Sequence, residues 1–501
     1  MRLLPFLLYL LAGVVFANPA YEKHCASCHG ADRLGGMGPA LLPESLARLK
    51  KPEAARTIRD SRPGVQMPAF GKVLSEKEIQ DLVELVYSPV VPAPQWGAAE
   101  IRASRIEHAK ARQLLKPAFA ADPLNLFVVV EAGDHHVTIL DGDRLEPIRR
   151  FASRYALHGG PKFSPDGRFV YFASRDGWIT RYDLWGLETL VEVRAGINTR
   201  NAAVSADGRY VAVANYLPHS LVLLDHELRF VKEIETGSRV SAVYDAQPRK
   251  SFVVALKDVP ELWEVSYDPQ AADIPVGLVH DYRLKEGAFV PGFLNARRTR
   301  LDEVLDDFFF TPDYAQVVGA SRDGKRGQVV HLDVRRAVAT LELPGLPHLG
   351  SGITWERAGR RVMATPNLRE GLVTVVDLAT WKTVKQVPTP GPGFFLRSHE
   401  ASRYAWADSM MAAQGRDTLS VIDKQTLEVV ARLTPVPGKT LAHIEFDRHG
   451  RYALASLWED DGALIVFDAA TLAEVKRIPM KKPVGKYNVA NKIRRSEGTS
   501  H

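Results

Sequence analysis

A unit made of a polar turn, a β-rich stretch, a second turn and a closing "VxDxxTLE"-like strand returns about every 40–47 residues from residue 120 onwards, the spacing of propeller blades. Clear copies are "FSPDGRFVYFASRDGWITRYDLWGLETLVEV" from 163, "VSADGRYVAVANYLPHSLVLLDHELRFVKEI" from 204, "WERAGRRVMATPNLREGLVTVVDLATWKTVKQV" from 355 and "FDRHGRYALASLWEDDGALIVFDAATLAEVKRI" from 446. A unit this short cannot bury its apolar face alone, but four short strands stacked against their neighbours in a closed ring can. The repeat therefore predicts an all-β propeller over 121–501. D-G-R-like turns near 166, 207, 248, 313, 358, 402 and 449, with an incomplete first unit over 124–150, make eight blades; seven is the alternative count. One longer interval falls around 270–305. "KPVGKYNVANK" near the C-terminus is expected to supply a closing strand to the first blade. Loops at one end of such a ring converge on its central channel, and ligands are expected there.

Ahead of the repeat, "HCASCHG" holds the only two cysteines of the 501-residue chain. Cys25, Cys28 and His29 form C-x-x-C-H, the c-type haem attachment pattern. One helical turn between the thiols suits addition to the two vinyl groups of one haem, and the adjacent His29 reaches the iron. The sixth ligand is sought downstream. Met67, in "RPGVQMPAFG", precedes a helix expected from the capping pair Ser75 and Glu78 and from Ile79, Leu82, Val83, Leu85 and Val86 at helical spacing. Met37 is the alternative. A His/Met pair raises the haem potential and leaves no open position, which suits electron transfer. Attachment helix, long loop, methionine loop and closing helix follow one another as in class I cytochromes c, and the segment resembles that family. "GPALL" at 38–42 resembles the loop whose proline carbonyl orients the ligating imidazole there. The predicted organisation is a small all-α cytochrome c domain over 18–90, a linker over 91–120 beginning at "VVPAPQWG", and the propeller.

Residues 1–17 read as a secretory leader, with Arg2, an apolar run from Leu3 to Phe16, and a cleavage site before Asn18. The run is shorter than the roughly 20 residues needed to span a bilayer. An exported, periplasmic protein is expected, with no membrane span. The net charge of +6 comes from scattered Arg and Lys, which argues against nucleic acid and fits an anionic ligand or acidic partner, with a solvated surface of modest positive bias as the alternative.

The two halves together resemble the cytochrome cd1 group, a c-haem domain followed by an eight-bladed propeller that holds haem d1. "SRDGWITRYDLWG" (174–186), "GINTRNAAVS" (196–205), "LPHLGSGITW" (346–355) and "PVGKYNVANK" (483–492) carry the resemblance. In the nitrite reductases of that group a proximal histidine ligates the d1 iron, and His158 in "YALHGGPKFSPDGR" matches it. His348 in "LPHLGSG" matches the first of two distal histidines. The second sits in a T-P-H-P-G segment, and here Gly391 stands in its place in "TPGPG". His443 in "LAHIEF" stands where the reductase has a pocket glutamine. Loss of one distal proton donor argues against efficient nitrite reduction. The departures resemble the dihydro-haem d1 dehydrogenase branch, which oxidises a propionate of the macrocycle to an acrylate in the last step of haem d1 biosynthesis.

That resemblance implies covalent haem c as electron relay, and haem d1 or its dihydro form as non-covalent product and substrate. It implies His443 or His348 as the base, and His158 and His348 as candidate iron ligands. Partners would be the tetrapyrrole, an electron acceptor, and the cytochrome cd1 nitrite reductase or other haem d1 biosynthesis proteins. A carrier of haem d1 and a nitrite reductase are the alternative functions. Because haem d1 carries several carboxylates, Arg200, Arg239 and Arg397 are expected to grip it by charge-assisted hydrogen bonds, each with the alternative of an inter-blade salt bridge. Tyr216 and Trp458, at blade tops, are candidates to pack on the ring.

Overall fold

The computed structural model describes residues 18–495 except 48, 62–66, 282–285 and 321–325; the expected leader lies outside the described residues. The chain forms two compact units that divide between Ala93 and Pro94.

The first unit is helical. Pro19–His24 and Ala26–His29 carry the C-x-x-C-H segment, Lys51–Asp60 follows, and Glu76–Tyr87 closes the unit. Ser75 and Glu78 cap the closing helix reciprocally, as their spacing predicts. Its Ile79, Leu82, Val83 and Val86 are buried and pack with Tyr21, Ala54, Ala55 and Leu74; Leu85 is only half-buried. Arg33 is buried and donates to the carbonyls of Leu85 and Ser88, a cation at the negative end of that helix.

The second unit is a propeller of eight antiparallel blades among the described residues. First strands of neighbouring blades contact one another, as between blades 3 and 4 and between blades 8 and 1. In blades 2 to 8 they are Lys162–Phe163, Asn198–Val204, Val240–Ala246, Asp307–Phe310, Ile353–Arg357, Leu396–Arg397 and Leu441–Phe446. Blade 1 takes its first strand from the other end of the chain: Pro483–Asn488 pairs with Leu126–Glu131, Val128 opposite Tyr487 and Val129 opposite Lys486. Chain closure of this kind removes the open edge that a ring of hairpins would leave.

Each pair of neighbouring blades, including the eighth and first, shares its own apolar cluster. Middle strands such as Leu126–Glu131 are therefore buried on both faces, whereas outer strands such as Glu146–Ala152 are largely exposed. The D-G-R-like turns work locally. In the first complete copy Ser164 donates to Asp166, Asp166 accepts the Arg168 amide at 3.1 Å, and Gly167 takes a φ of +72°.

Two segments depart from the sequence-based expectation. Residues 91–120 are not a plain linker. Ala98–Ala103 is a helix whose Ile101 is buried in the cluster between blades 2 and 3, Trp96 Nε1 donates to the Arg194 carbonyl at 2.9 Å, and Ile106–Glu107 adds a fifth strand to blade 2. The long interval before residue 305 holds an extra hairpin, Ile274–Asp281 with Glu286–Val290, inserted ahead of the outer strand of blade 4.

Candidate functional site

In the helical unit, Cys25 and Cys28 are free, half-buried thiols one turn apart. The buried His29 donates from Nδ1 to the Pro39 carbonyl at 2.8 Å. That bond sets the tautomer and leaves the Nε2 lone pair for a metal. Gly38 lies so close that a Cβ there would stand 2.5 Å from His29 Cε1, so the imidazole needs a glycine beside it. Two thiols, an oriented imidazole and a packed ring cradle fit a covalent haem. Met67 is half-buried, and its carbonyl accepts from Ser61 Oγ.

In the propeller, the predicted residues gather at the starts of the first strands. His158 Nδ1 donates to the Arg200 carbonyl at 2.8 Å, and its Nε2 accepts from Arg175 Nη2 at 2.8 Å. The Arg200 guanidinium stands over the same ring, Nη1 3.3 Å from Nε2, while its Nε donates to the Ser241 carbonyl. Burial and these two cations hold His158 well below the usual histidine range. His348 donates from Nδ1 to the Phe394 carbonyl at 2.7 Å, and its Nε2 lies 3.9 Å from Asp307 Oδ2, too far for a hydrogen bond. Of the two candidate iron-ligating imidazoles, His348 thus presents an Nε2 lone pair and His158 has its own occupied by Arg175.

His443 is the most unusual residue of the cluster. It is fully buried, and neither ring nitrogen has a hydrogen-bond partner. The ladder between Leu441–Phe446 and Tyr452–Leu457 slips at this residue: Ala442 faces Ser456 and Ile444 faces Ala455. His443 therefore sits on a bulge, with a φ of +47°. A left-handed histidine costs backbone energy, and bulges beside active sites re-aim side chains. Its ring meets Phe395 and Tyr487 edge-on, with centroids 4.5 and 5.0 Å away. Burial, with Lys486, Arg397 and Lys492 nearby, holds the imidazole well below its ordinary range and so neutral.

Cations outnumber carboxylates around these histidines. Arg397 is buried with its Nε unpartnered. Arg175 is pushed down to about 10 by burial and by Arg200. Tyr216 lies among Arg175, Arg200 and Lys257, whose charges hold its phenol below the usual tyrosine range against the effect of burial. Such a surplus fits an anionic guest. Arg239 is differently placed. It lies in the turn before Val240–Ala246, paired through two bonds with Asp258, and reaches the cluster only across the Tyr216 ring at 5.8 Å. Arg200 lies within a strand and not in a turn. Trp458 has Lys482 over its ring at 5.4 Å.

Arg175, Lys257, Lys486 and Asp408 are not among the residues expected from sequence; Arg175, inside the "SRDG" block, and Lys486, inside "PVGKYNVANK", carry a signal there. A cavity of about 370 Å³ opens at the opposite ends of the first strands, lined in part by Lys162, Tyr244, Tyr314 and Arg495. It lacks the histidines. Among the described residues no three His, Cys, Asp or Glu side chains are grouped to hold a metal ion.

The chain matches the Cytochrome D1 heme domain over residues 121–492 and the family described as cytochrome C oxidase, cbb3-type, subunit III over 17–86. It is 54% identical to a dihydro-heme d1 dehydrogenase of Pseudomonas aeruginosa, with all of both chains covered. A nitrite reductase of Stutzerimonas stutzeri is 25% identical, covering 94% of this chain and 91% of that one. A solved structure, dihydro-heme d1 dehydrogenase NirN in complex with DHE, superposes with a TM-score of 0.82 at 54% identity, covering 95% of this chain and 100% of the other. By the extent of these matches, the chain belongs to the cytochrome D1 heme domain family, with a cytochrome c unit ahead of the propeller.

Proposed function

We propose that this protein oxidises dihydro-haem d1, removing two hydrogens from a propionate side chain of the macrocycle to leave the acrylate of haem d1. The observation that carries this reading is His443, a buried, neutral imidazole with both nitrogens unpartnered, held on a bulge beside a cationic pocket. The resemblance to a dihydro-heme d1 dehydrogenase over the whole chain supports it.

The –CH2–CH2– unit becomes –CH=CH–, releasing two protons and two electrons. His443 takes one proton from the side chain, and the second leaves to solvent. Arg200 and Arg397, with Arg175, bind the carboxylates and hold the chain against the base. His348 would hold the iron through its Nε2, and His158, whose Nε2 accepts from Arg175, is the other candidate to do so. Haem held by Cys25, Cys28, His29 and Met67 supplies a one-electron acceptor, and an acceptor outside the chain takes the electrons on. The protein works in the periplasm after loss of residues 1–17, a reading supported by the leader-like N-terminus; among the described residues no helix is long and apolar enough to cross a membrane. Cytochrome cd1 nitrite reductase is the natural recipient of the product.

Anaerobic mixing with the dihydro pigment, followed by mass analysis of the extracted pigment, tests the activity. A loss of two hydrogens supports it, and return of the pigment at unchanged mass would leave a carrier. Two substitutions test the residues. Met67→Ala is expected to keep the covalent haem but to lower its reduction potential and open the sixth position; an unchanged redox titration and an unchanged methionine–iron charge-transfer band would move the ligand elsewhere, to Met37 first. Arg200→Ala should weaken pigment binding by about 1.5–3 kcal/mol, the worth of a charge-assisted contact. Arg239→Ala should weaken it less, because its guanidinium is already engaged by Asp258. Titrations that rank the two the other way would place the carboxylate grip on Arg239.

A further inference from the structure

One buried carboxylate connects the two histidines on which the proposed function rests. Asp408 follows the strand Tyr404–Ala407 of blade 7 and is 1% exposed. Its Oδ1 accepts the Phe394 amide at 2.7 Å and the Phe395 amide at 3.3 Å. Its Oδ2 accepts the His443 amide, on blade 8, at 3.1 Å. Phe394 in turn accepts Nδ1–H of His348, from the segment that enters blade 6, at 2.7 Å. The carboxylate therefore reaches one histidine through its own backbone amide and the other through a single peptide unit.

No lysine or arginine pairs with Asp408 among the described residues, so the oxygens are committed to main-chain amides. Such bonds to a charged acceptor are short and strong when buried. They also act on the strained element. His443 holds its left-handed φ between the Asp408 carboxylate on its N–H and the Lys486 ammonium on its carbonyl. Gly393 completes the arrangement. A Cβ there would stand 2.2 Å from the Asp408 carbonyl, so the Phe394 segment can approach Asp408 only with glycine ahead of it.

We infer that Asp408 is a positioning residue for the dehydrogenation: it fixes the bulge that aims His443 and the carbonyl that sets the tautomer of His348, and so couples base and iron ligand across three blades. The inference assumes that His443 and His348 serve the reaction as proposed above. A displacement near 1 Å of an aligned group can cost roughly 10²-fold in rate, and losing the amide contacts frees both histidines to move.

The test is Asp408→Asn, which keeps the shape but presents an NH2 to at least one of the main-chain amides bonded to the carboxylate. Five quantities are read: affinity for the dihydro pigment, its turnover, the covalent-haem spectrum, the thermal midpoint, and the ¹⁵N-histidine spectrum of the pigment-free protein. In that spectrum the His348 Nδ1–H bonded to Phe394 should give a signal protected from exchange. The expected result is turnover reduced about 10²-fold, affinity and covalent-haem spectrum nearly unchanged, and loss of the protected signal. Wild-type turnover with the signal retained overturns the inference. So does a parallel fall of affinity, thermal midpoint and turnover, the mark of a merely structural carboxylate. If Asp408→Asn does not fold, Asp408→Glu is read by the same measurements and the same outcomes. His443→Ala and His348→Ala, assayed alongside, separate the failures. If both retain turnover, the proposed site is wrong; if both lose it and Asp408→Asn does not, only this inference falls.

Discussion

His443→Ala is expected to bind the dihydro pigment nearly as well as the wild type and to convert it roughly 10²–10⁴-fold more slowly, the usual effect of removing a general base. The ring makes no hydrogen bond in the folded protein, so its removal breaks no polar contact, and the remaining walls Phe395 and Tyr487 are apolar faces. Ground-state binding depends on cations that the substitution leaves in place. pH gives a second readout. Burial and three nearby cations hold the imidazole well below its ordinary value, which is near 6.5 in a free histidine. It therefore stays neutral, and competent to accept a proton, as pH falls through that value, and the acid limb of kcat lies below the ordinary histidine range. The same shift acts on stability. The unfolded chain takes up the proton first, so the contribution of neutral His443 is complete above about pH 6.5 and is lost as pH falls from there toward the folded-state value. His158 is shifted in the same direction and adds to the loss. Wild-type turnover by His443→Ala, or an acid limb of kcat at or above 6.5, would move the base to another group, His348 first. His348→Ala differs as a control, because loss of the proposed iron ligand should alter the spectrum of the bound pigment as well as its conversion.

The features legible in the sequence are those written within one turn or one blade. The Ser-x-Asp-Gly turns specify their own hydrogen bonds, the blade strands carry their burial pattern, and Ser75 with Glu78 announces a helix start without outside help. C-x-x-C-H is equally local, and Pro39 sits where its carbonyl meets His29. What was not legible depends on pairings between blades. Nothing in "LAHIEF" marks a bulge, because the slip at His443 is defined by the facing strand Tyr452–Leu457 and by a carboxylate 35 positions earlier in the chain. Arg239 looks from sequence like Arg200, but Asp258, in the loop after the next strand of the same blade, occupies it. The segment after residue 91 reads as a linker because its opening prolines and glycine are loop formers. Its order comes from burying Ile101 and Trp96 against blades whose surface no local pattern reveals.

A chain truncated after Lys482 is expected to yield no folded propeller. The missing strand Pro483–Asn488 is the first strand of blade 1, and without it Leu126–Glu131 becomes an open edge. That strand is buried along its whole length, so the truncation exposes two-sided apolar surface to water and leaves a template for edge-to-edge association. The following helix goes too. Val489, fully buried between blades 1 and 2, leaves a gap in their cluster, and Asn491 no longer donates to the Phe446 carbonyl of blade 8. Each buried side chain of valine size contributes about 1.5–3 kcal/mol, and the loss of Val489 with the exposure of Val128 and Val130 alone approaches the 5–15 kcal/mol that holds a typical domain together. The active site fails with the ring, because the lost strand carries Tyr487, against the His443 ring, and Lys486, on the His443 carbonyl. The helical unit has its own apolar cluster, so covalent haem should still attach there and serve as the internal control. Soluble yield, thermal unfolding by circular dichroism and the haem spectrum, measured on one preparation, decide the matter. A truncated chain that unfolds cooperatively near the wild-type temperature would show that the ring closes without its C-terminal strand. Restoring residues 483–494 ahead of Asp122 in the truncated chain should recover the propeller, because the strand is then supplied to the same edge from the other side of the break.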